Sequence, residues 1–194
     1  MTCSAAETPE LEQIRRRVFL ALFVALAVGL HTFEALLPNP LPWFRLGLAN
    51  ILALTALGLY GLGAMWALSL CRIFIGSLLL GNLLGPGFLL SLGGGIAAGL
   101  MMSAGVLLLR RGIGLVGLSV LGAIGHVGGQ LLVAGLVVVQ NQSIWFLLPL
   151  FLLFALISGT MNGLAADLLV DYLLRQPPFA KQSKRFGCRA LPGE

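Results

Sequence analysis

The sequence predicts an all-α, polytopic membrane protein with six transmembrane helices and both termini in the cytoplasm. The chain of 194 residues is 58% hydrophobic and only 10% charged, whereas about a quarter of the residues in soluble domains are charged. Its mean hydropathy is +0.99. Apolar runs of about 20 residues, enough to cross a hydrocarbon core of about 30 Å as a helix, alternate with short polar or basic segments.

Six apolar runs have the length, or nearly the length, of a membrane span. They are Val18–Leu37, Leu46–Leu62, Ala64–Leu80, Phe88–Leu109, Leu115–Val139 and Leu150–Leu174. The second and third have only about 17 residues each, near the lower limit for a span. The Tyr60–Gly63 region must therefore form a very tight hairpin, unless the two runs make one long buried helix.

Turn-forming residues separate the spans on the outer side. Pro38–Pro42 ends the first span, because proline cannot continue a helix. Asn82–Gly87 has the composition of a turn, and Gln140–Ser143 that of a short polar loop. Trp43 and Trp145 lie beside two of these segments, as expected for aromatic residues at a membrane interface.

The basic residues predict the orientation of the chain. Six spans place ten of the twelve Lys and Arg residues on one side, at 15–17, at 110–111 and from Arg175 onward, and the positive-inside rule makes that side cytoplasmic. This distribution explains the +5 net charge without a nucleic-acid partner. We therefore expect a cytoplasmic tail at 1–17, a six-helix domain at 18–174 and a basic cytoplasmic tail at 175–194.

Polar side chains from four spans are predicted to share one layer in the outer half of the bilayer. A rise of about 1.5 Å per residue gives them depths of roughly 17–24 Å from the cytoplasmic end. Polar groups at such depths usually face protein or a water-filled cavity. The expected substrate-binding residues are Asn50, His126, Gln130 and Asn162, with His31, Glu34 and Arg45 near the mouth. The alternative is a set of separate interhelical hydrogen bonds.

A second, deeper pair carries opposite charges. Arg72 and Asp167 both lie roughly 11 Å from the cytoplasmic ends of their helices, which predicts an ion pair that fixes the third helix against the sixth. A role in proton coupling by a secondary transporter is the alternative.

Small residues spaced by four predict close helix packing. Ala21, Ala25 and Gly29 form such a stripe on the first helix, which serves either internal packing or the docking of another membrane subunit. Later helices repeat the spacing at Gly95/Gly99, Gly125/Gly129 and Gly159/Gly163.

The motifs expected of an enzyme are missing from the sequence. It contains no G-x-x-x-x-G-K-[ST] phosphate loop, no acidic cluster to hold Mg²⁺ with a diphosphate and no recognisable nucleophile with its base. The histidines and Glu34 lack the close spacing of a dedicated metal site. We expect a protein that is not an enzyme and has neither metal nor cofactor.

Several segments together resemble the Gx transporter family, which is also labelled heptaprenyl diphosphate synthase component I. They are Arg45-Leu-Gly-Leu-Ala-Asn50, Arg72 with Gly76-Ser-Leu-Leu-Leu-Gly81, Phe88-Leu-Leu-Ser-Leu92 with Gly94, and Gly122-Ala-Ile-Gly-His126 with Gly129-Gln130-Leu131. The resemblance extends from about residue 18 to 174. Val127 stands where the resemblance would lead us to expect Asn.

That family is similar to the S components of energy-coupling factor (ECF) transporters. The resemblance implies a six-helix subunit of the bacterial cytoplasmic membrane that captures a vitamin or another small cofactor precursor. It also implies docking through Ala21, Ala25 and Gly29 to a transmembrane coupling subunit, which an ATPase pair drives. The family label implies an alternative, a membrane accessory component of a heptaprenyl diphosphate synthase or of a quinone-precursor pathway.

Overall fold

The structure, a computed structural model, describes residues 9–36, 47–109, 113–138, 140 and 142–176. All regular structure in these ranges is helical, so the predicted all-α class is confirmed for them. The helices are α1 (Pro9–Leu36), α2 (Leu48–Tyr60), α3 (Leu62–Leu79), α4 (Pro86–Leu109), α5 (Leu115–Val133) and α6 (Leu148–Leu174). A π-helical segment, Ala134–Val138, continues α5, and a 3-10 segment, Gln142–Leu147, leads into α6.

Five of the helical segments are long and apolar enough to cross a membrane. They are Gln13–Glu34, Leu62–Leu79, Pro86–Leu109, Leu115–Val137 and Ile144–Leu174. The remaining helix, α2, has 13 residues and a length of about 20 Å, which is less than the hydrocarbon core. The described residues thus form six α-helices, and five of the helical segments have spanning length. The number of crossings and the cytoplasmic position of the termini stay predictions.

Two glycines set the ends of α2. Gly47 and Gly61 have φ values of 73° and 90°, a region that favours glycine, and they flank Leu48–Tyr60. The predicted second span, Leu46–Leu62, was therefore too long at both ends. The tight hairpin predicted at Tyr60–Gly63 is confirmed, because Gly61 alone separates α2 from α3.

The first helix begins earlier than predicted. Residues 9–17, assigned from the sequence to a tail, are helical, and Pro9 suits the first position of a helix. Arg16 joins this extension to the end of α2. Its Nη2 donates to the Tyr60 carbonyl at 3.3 Å, and its guanidinium lies 5.6 Å from the centre of the Tyr60 ring. A cation at the last carbonyls of α2 is favourable.

The short helix α2 lies at the centre of the bundle. Its residues 52–60 are all buried, and it packs against α1, α3 and α6. Met65, Leu68 and Val170 of the neighbouring helices are almost fully buried in the same apolar cluster. Along the rest of the bundle α3 packs on α4, α4 on α5 and α5 on α6. The helix α2 therefore separates α3 from α6 over most of its length.

Glycines allow the closest helix contacts. A Cβ atom at Gly129 would lie 2.5 Å from the Gly93 carbonyl oxygen, and one at Gly163 would lie 2.7 Å from Val116 Cα. Gly99 is similarly close to the Trp66 ring. The three later glycine pairs thus serve internal packing between α3 and α4, α4 and α5, and α5 and α6.

The stripe on α1 differs from these pairs. Ala21, Ala25 and Gly29 are all exposed. A Cβ atom at Gly29 would meet nothing within 4 Å among the described residues. The sequence left two roles open for this stripe, internal packing or the docking of another subunit. Among the described residues no helix packs on it, so internal packing is wrong for this part of the chain.

Several predicted features fall outside the described residues. They are the loop residues Pro38–Pro42, Trp43 and Arg45, the basic pair Arg110–Arg111, and residues 1–8 and 177–194 of the two tails. The turn predicted at Asn82–Gly87 is confirmed as the connection between α3 and α4, although α4 already begins at Pro86.

Candidate functional site

A cavity of about 110 Å³ lies inside the helical bundle. All six helices, together with the π and 3-10 segments, contribute to its wall. Nine of the described lining residues have polar side chains: His31, Asn50, Arg72, Ser91, Ser119, His126, Gln130, Ser158 and Asn162. Such convergence of polar groups within an apolar bundle is typical of a ligand site.

Five of the seven residues expected from the sequence to bind a substrate line this cavity. They are His31, Asn50, His126, Gln130 and Asn162. Glu34 does not line it, and Arg45 lies outside the described residues. The structure thus brings these side chains from four helices to one place. Their role in binding a substrate stays a prediction.

Arg72 contacts Asn50 rather than the residue predicted from the sequence. Its Nη2 donates to Asn50 Oδ1 at 2.6 Å, and the arginine is only 6% exposed. Because Arg72 also lines the cavity, it belongs to the candidate site and is more than a structural pin. Sequence reasoning missed this placement.

The predicted ion pair of Arg72 with Asp167 is therefore wrong. Asp167 lies on the exposed side of α6, and α2 packs between α3 and α6. The depth of Arg72 was also underestimated, because α3 begins at Leu62 and not at Ala64. Arg72 consequently lies about 3 Å farther from the hairpin than expected, at the level of Asn50.

Glu34 supports the site from outside the cavity. Its Oε1 accepts a hydrogen bond from the backbone N–H of Leu48 at 2.7 Å, and its side chain is 3% exposed. Leu48 is the first residue of α2, where N–H groups have no partner within the helix. The positive end of the helix dipole favours a carboxylate there. Glu34 thus fixes the start of α2, two residues before Asn50.

Glycines on α3 and α4 make room for the two histidines. A Cβ atom at Gly76 would lie 2.6 Å from the His31 ring. One at Gly94 would lie 2.9 Å from the His126 ring and 2.7 Å from Gln130 Cγ. Each imidazole therefore packs directly on the backbone of a neighbouring helix. Any larger residue at these glycines would displace it.

The amide side chains gather at the N-terminus of α2. A Cβ atom at Gly47 would lie 3.2 Å from Asn162 Nδ2 and 3.7 Å from Asn50 Nδ2. Gly47 itself lines the cavity with a φ of 73°. This part of the wall is thus formed by the backbone at Gly47 and by the amides of Asn50 in α2 and Asn162 in α6.

Three serines complete the polar lining and were not predicted. Ser91, Ser119 and Ser158 all line the cavity, from α4, α5 and α6. A signal was present in the sequence, since Ser119, His126 and Gln130 lie on one helix face at spacings of seven and four. Serines are common in membrane helices as packing residues, so the pattern was weak.

The family described as heptaprenyl diphosphate synthase component I matches residues 23–169. The chain belongs to this family. The match includes every residue named above as lining the cavity, and it confirms the family label that the sequence motifs indicated. No curated protein and no solved structure matches the chain significantly.

The described residues of this component I family member form two apolar clusters, and only the smaller one lines the cavity. The larger one surrounds α2. The smaller one contains Leu90, Leu131, Ala134, Ile144 and Phe151, and all five of these residues line the cavity. The wall is therefore polar around Asn50, Arg72 and Asn162 and apolar around the π and 3-10 segments.

The described lining of this component I site offers hydrogen-bonding groups and one fixed positive charge. None of the described lining residues is Asp or Glu, and Arg72 is the one Arg or Lys among them. Within the described ranges no three His, Cys, Asp or Glu side chains are grouped as ligands of a metal. The lining can orient a polar group through amides, hydroxyls, imidazoles and a guanidinium.

Proposed function

We propose that the protein is a non-catalytic membrane component of a heptaprenyl, or another polyprenyl, diphosphate synthase, and that its cavity binds a small ligand of that system. The supporting observation is the family match over residues 23–169, which covers the helices around the cavity. We place the protein in a bacterial cytoplasmic membrane, with the reacting groups of the synthase supplied by a partner subunit.

The lining of the cavity supports a binding role rather than a catalytic one. Prenyl transfer requires carboxylates that hold Mg²⁺ against the diphosphate. The described lining offers a guanidinium, amides, imidazoles and hydroxyls instead. The guanidinium donates to acceptor atoms, and the amides, imidazoles and hydroxyls can donate or accept. Buried contacts such as that of Arg72 with Asn50 hold these groups in place.

A second candidate function is substrate capture for an ECF-type transporter, in which the same cavity holds a vitamin or another cofactor precursor. The α1 stripe favours it. The three other small-residue pairs are covered by neighbouring helices, whereas Ala21, Ala25 and Gly29 are exposed. In this proposal the stripe docks to a transmembrane coupling subunit that an ATPase pair drives.

Purification of the tagged, full-length protein from native membranes distinguishes the two candidates. A stoichiometric soluble prenyltransferase is expected if the chain is a synthase component. A coupling subunit with two ATPases would overturn that proposal in favour of transport. Ala25→Trp is the matched variant, because it alters the stripe and leaves the cavity unchanged. Loss of the ATPases from this variant alone would assign the docking surface.

A further inference from the structure

We propose that the cavity binds a small amphipathic anion, whose carboxylate or phosphate contacts Arg72 and whose apolar part packs against the Leu131–Ile144–Phe151 wall. The apolar part is no larger than one ring or one five-carbon prenyl unit. This inference names the ligand class of the site, and it rests on the proposed function only in that the cavity is a binding site.

The balance of hydrogen-bonding groups favours an anion. Arg72 can only donate, whereas the histidine, amide and serine side chains around it can donate or accept, so the fixed positive charge decides the balance. None of the described lining residues is Asp or Glu, so the described lining itself supplies one positive and no negative side chain. A ligand rich in acceptors therefore matches the described lining better than a cation does.

The guanidinium is held in position for this role. Asn50 Oδ1 accepts from one Nη at 2.6 Å, which restricts the rotation of the side chain. A planar guanidinium matches carboxylate and phosphate oxygens in a two-point contact. Charge attraction is strong at this depth, because the surroundings are far less polarisable than water.

The opposite wall supplies an apolar surface. Leu131, Ile144 and Phe151 are each less than 9% exposed and all line the cavity. Leu131 lies in α5, Ile144 in the 3-10 segment and Phe151 in α6. Leu131 is about three turns along α5 from Ser119, and Phe151 is about three turns along α6 from Asn162. A ligand with its charged group at Arg72 therefore directs its other end to hydrocarbon side chains.

The volume limits the size of the ligand. An engineered apolar cavity of about 150 Å³ in another protein holds one benzene molecule, and the cavity here has about 110 Å³. The largest apolar group that fits is therefore one small ring or one prenyl unit. A seven-unit prenyl chain is far too large to lie within it.

Matched pairs of compounds test the inference. The purified full-length protein is heated with benzoate or benzamide, with 3-methylbutanoate or 3-methylbutanamide, and with dimethylallyl diphosphate or the corresponding alcohol. A ligand that binds the folded state raises the unfolding temperature. We expect at least one anion to raise it by several degrees and its neutral partner to have no effect. Comparison of the two carboxylates with the diphosphate shows which head group the cavity binds.

Two variants and a control assign the effect to Arg72. Asn50→Asp places a carboxylate against Arg72 within the existing contact and should abolish the anion-induced shift while the protein stays folded. Arg72→Gln should abolish it as well, and Arg175→Gln, which removes an exposed charge far from the cavity, should retain it. The inference is overturned if no anion stabilises the protein, if neutral partners work equally well, or if Asn50→Asp retains the shift. Partner purification tests the proposed function separately, so either can fail alone.

Discussion

Asn50 and Arg72 lie at equal distances along the chain from Gly61, eleven residues before it and eleven after it, and a 2.6 Å hydrogen bond joins them. Two antiparallel helices that leave a one-residue hairpin rise at the same rate, about 1.5 Å per residue. Residues equally far from the hairpin therefore lie at the same level. This symmetry places the guanidinium beside the amide and both of them in the wall of the cavity.

Asn50→Leu should destabilise the protein. The substitution removes the acceptor of the Arg72 Nη2 group in a buried site, and hydrogen bonds to charged groups contribute about 1.5–3 kcal/mol. We expect a lower unfolding temperature of the detergent-purified protein. Asn50→Asp, which keeps an acceptor of the same shape, should be at least as stable as the wild type. Equal unfolding temperatures for Asn50→Leu and Asn50→Asp would contradict the assigned contact.

Glu34→Ala should loosen the start of α2. The Leu48 N–H would lose its acceptor, and the loss of a helix N-terminal acceptor costs about 0.5–2 kcal/mol. Glu34→Gln retains an oxygen acceptor and should lose less stability than Glu34→Ala. Thermal unfolding of the three proteins measures the difference. If Glu34→Gln loses as much stability as Glu34→Ala, the charge of Glu34 and not its hydrogen bond dominates.

Gly94→Ala should disturb the cavity wall. The added methyl group would lie within 3 Å of His126 and Gln130, and overpacking of this kind costs about 1–3 kcal/mol. Gly87→Ala on the same helix is the control, since its added Cβ would meet nothing within 4 Å among the described residues. A lower unfolding temperature is expected for Gly94→Ala alone. Similar values for both variants would mean that His126 does not pack on α4.

Ala25→Trp should leave stability unchanged, because Ala25 is exposed and substitutions away from buried contacts usually change it by less than about 0.5 kcal/mol. Leu100→Trp, at an exposed position on α4, is the control. The two variants should unfold at the same temperature as the wild type. A large loss of stability in Ala25→Trp would show that the stripe is covered within the protein itself.

The helices could be predicted from the sequence because each depends on local information. The length of an apolar run and the position of a proline or glycine set where a helix can lie, as the confirmed hairpin at Gly61 shows. The short length of α2 was not predicted, since Leu46 and Leu62 are apolar and only the backbone at Gly47 and Gly61 ends the helix between them.

The site was predicted in part. Depth along the helices correctly grouped Asn50, His126 and Asn162, because spacing from a helix end measures height. Height says nothing about which helices are neighbours, and this is why Arg72 was paired with Asp167 across the position that α2 occupies. Glu34 lies in the predicted layer, but its carboxylate contacts the N-terminus of α2. This contact could not be predicted without knowing that α2 begins at Leu48.

Native mass spectrometry of the gently purified protein tests most directly whether the cavity is a ligand site. Ala155, which is 3% exposed, lines the cavity, so Ala155→Phe should fill most of its volume. Leu164→Phe adds a ring to an exposed position of the same helix and serves as the control. We expect the wild type and Leu164→Phe to carry a small bound molecule that Ala155→Phe lacks. A molecule retained in Ala155→Phe, or absent from the wild type, would contradict the account.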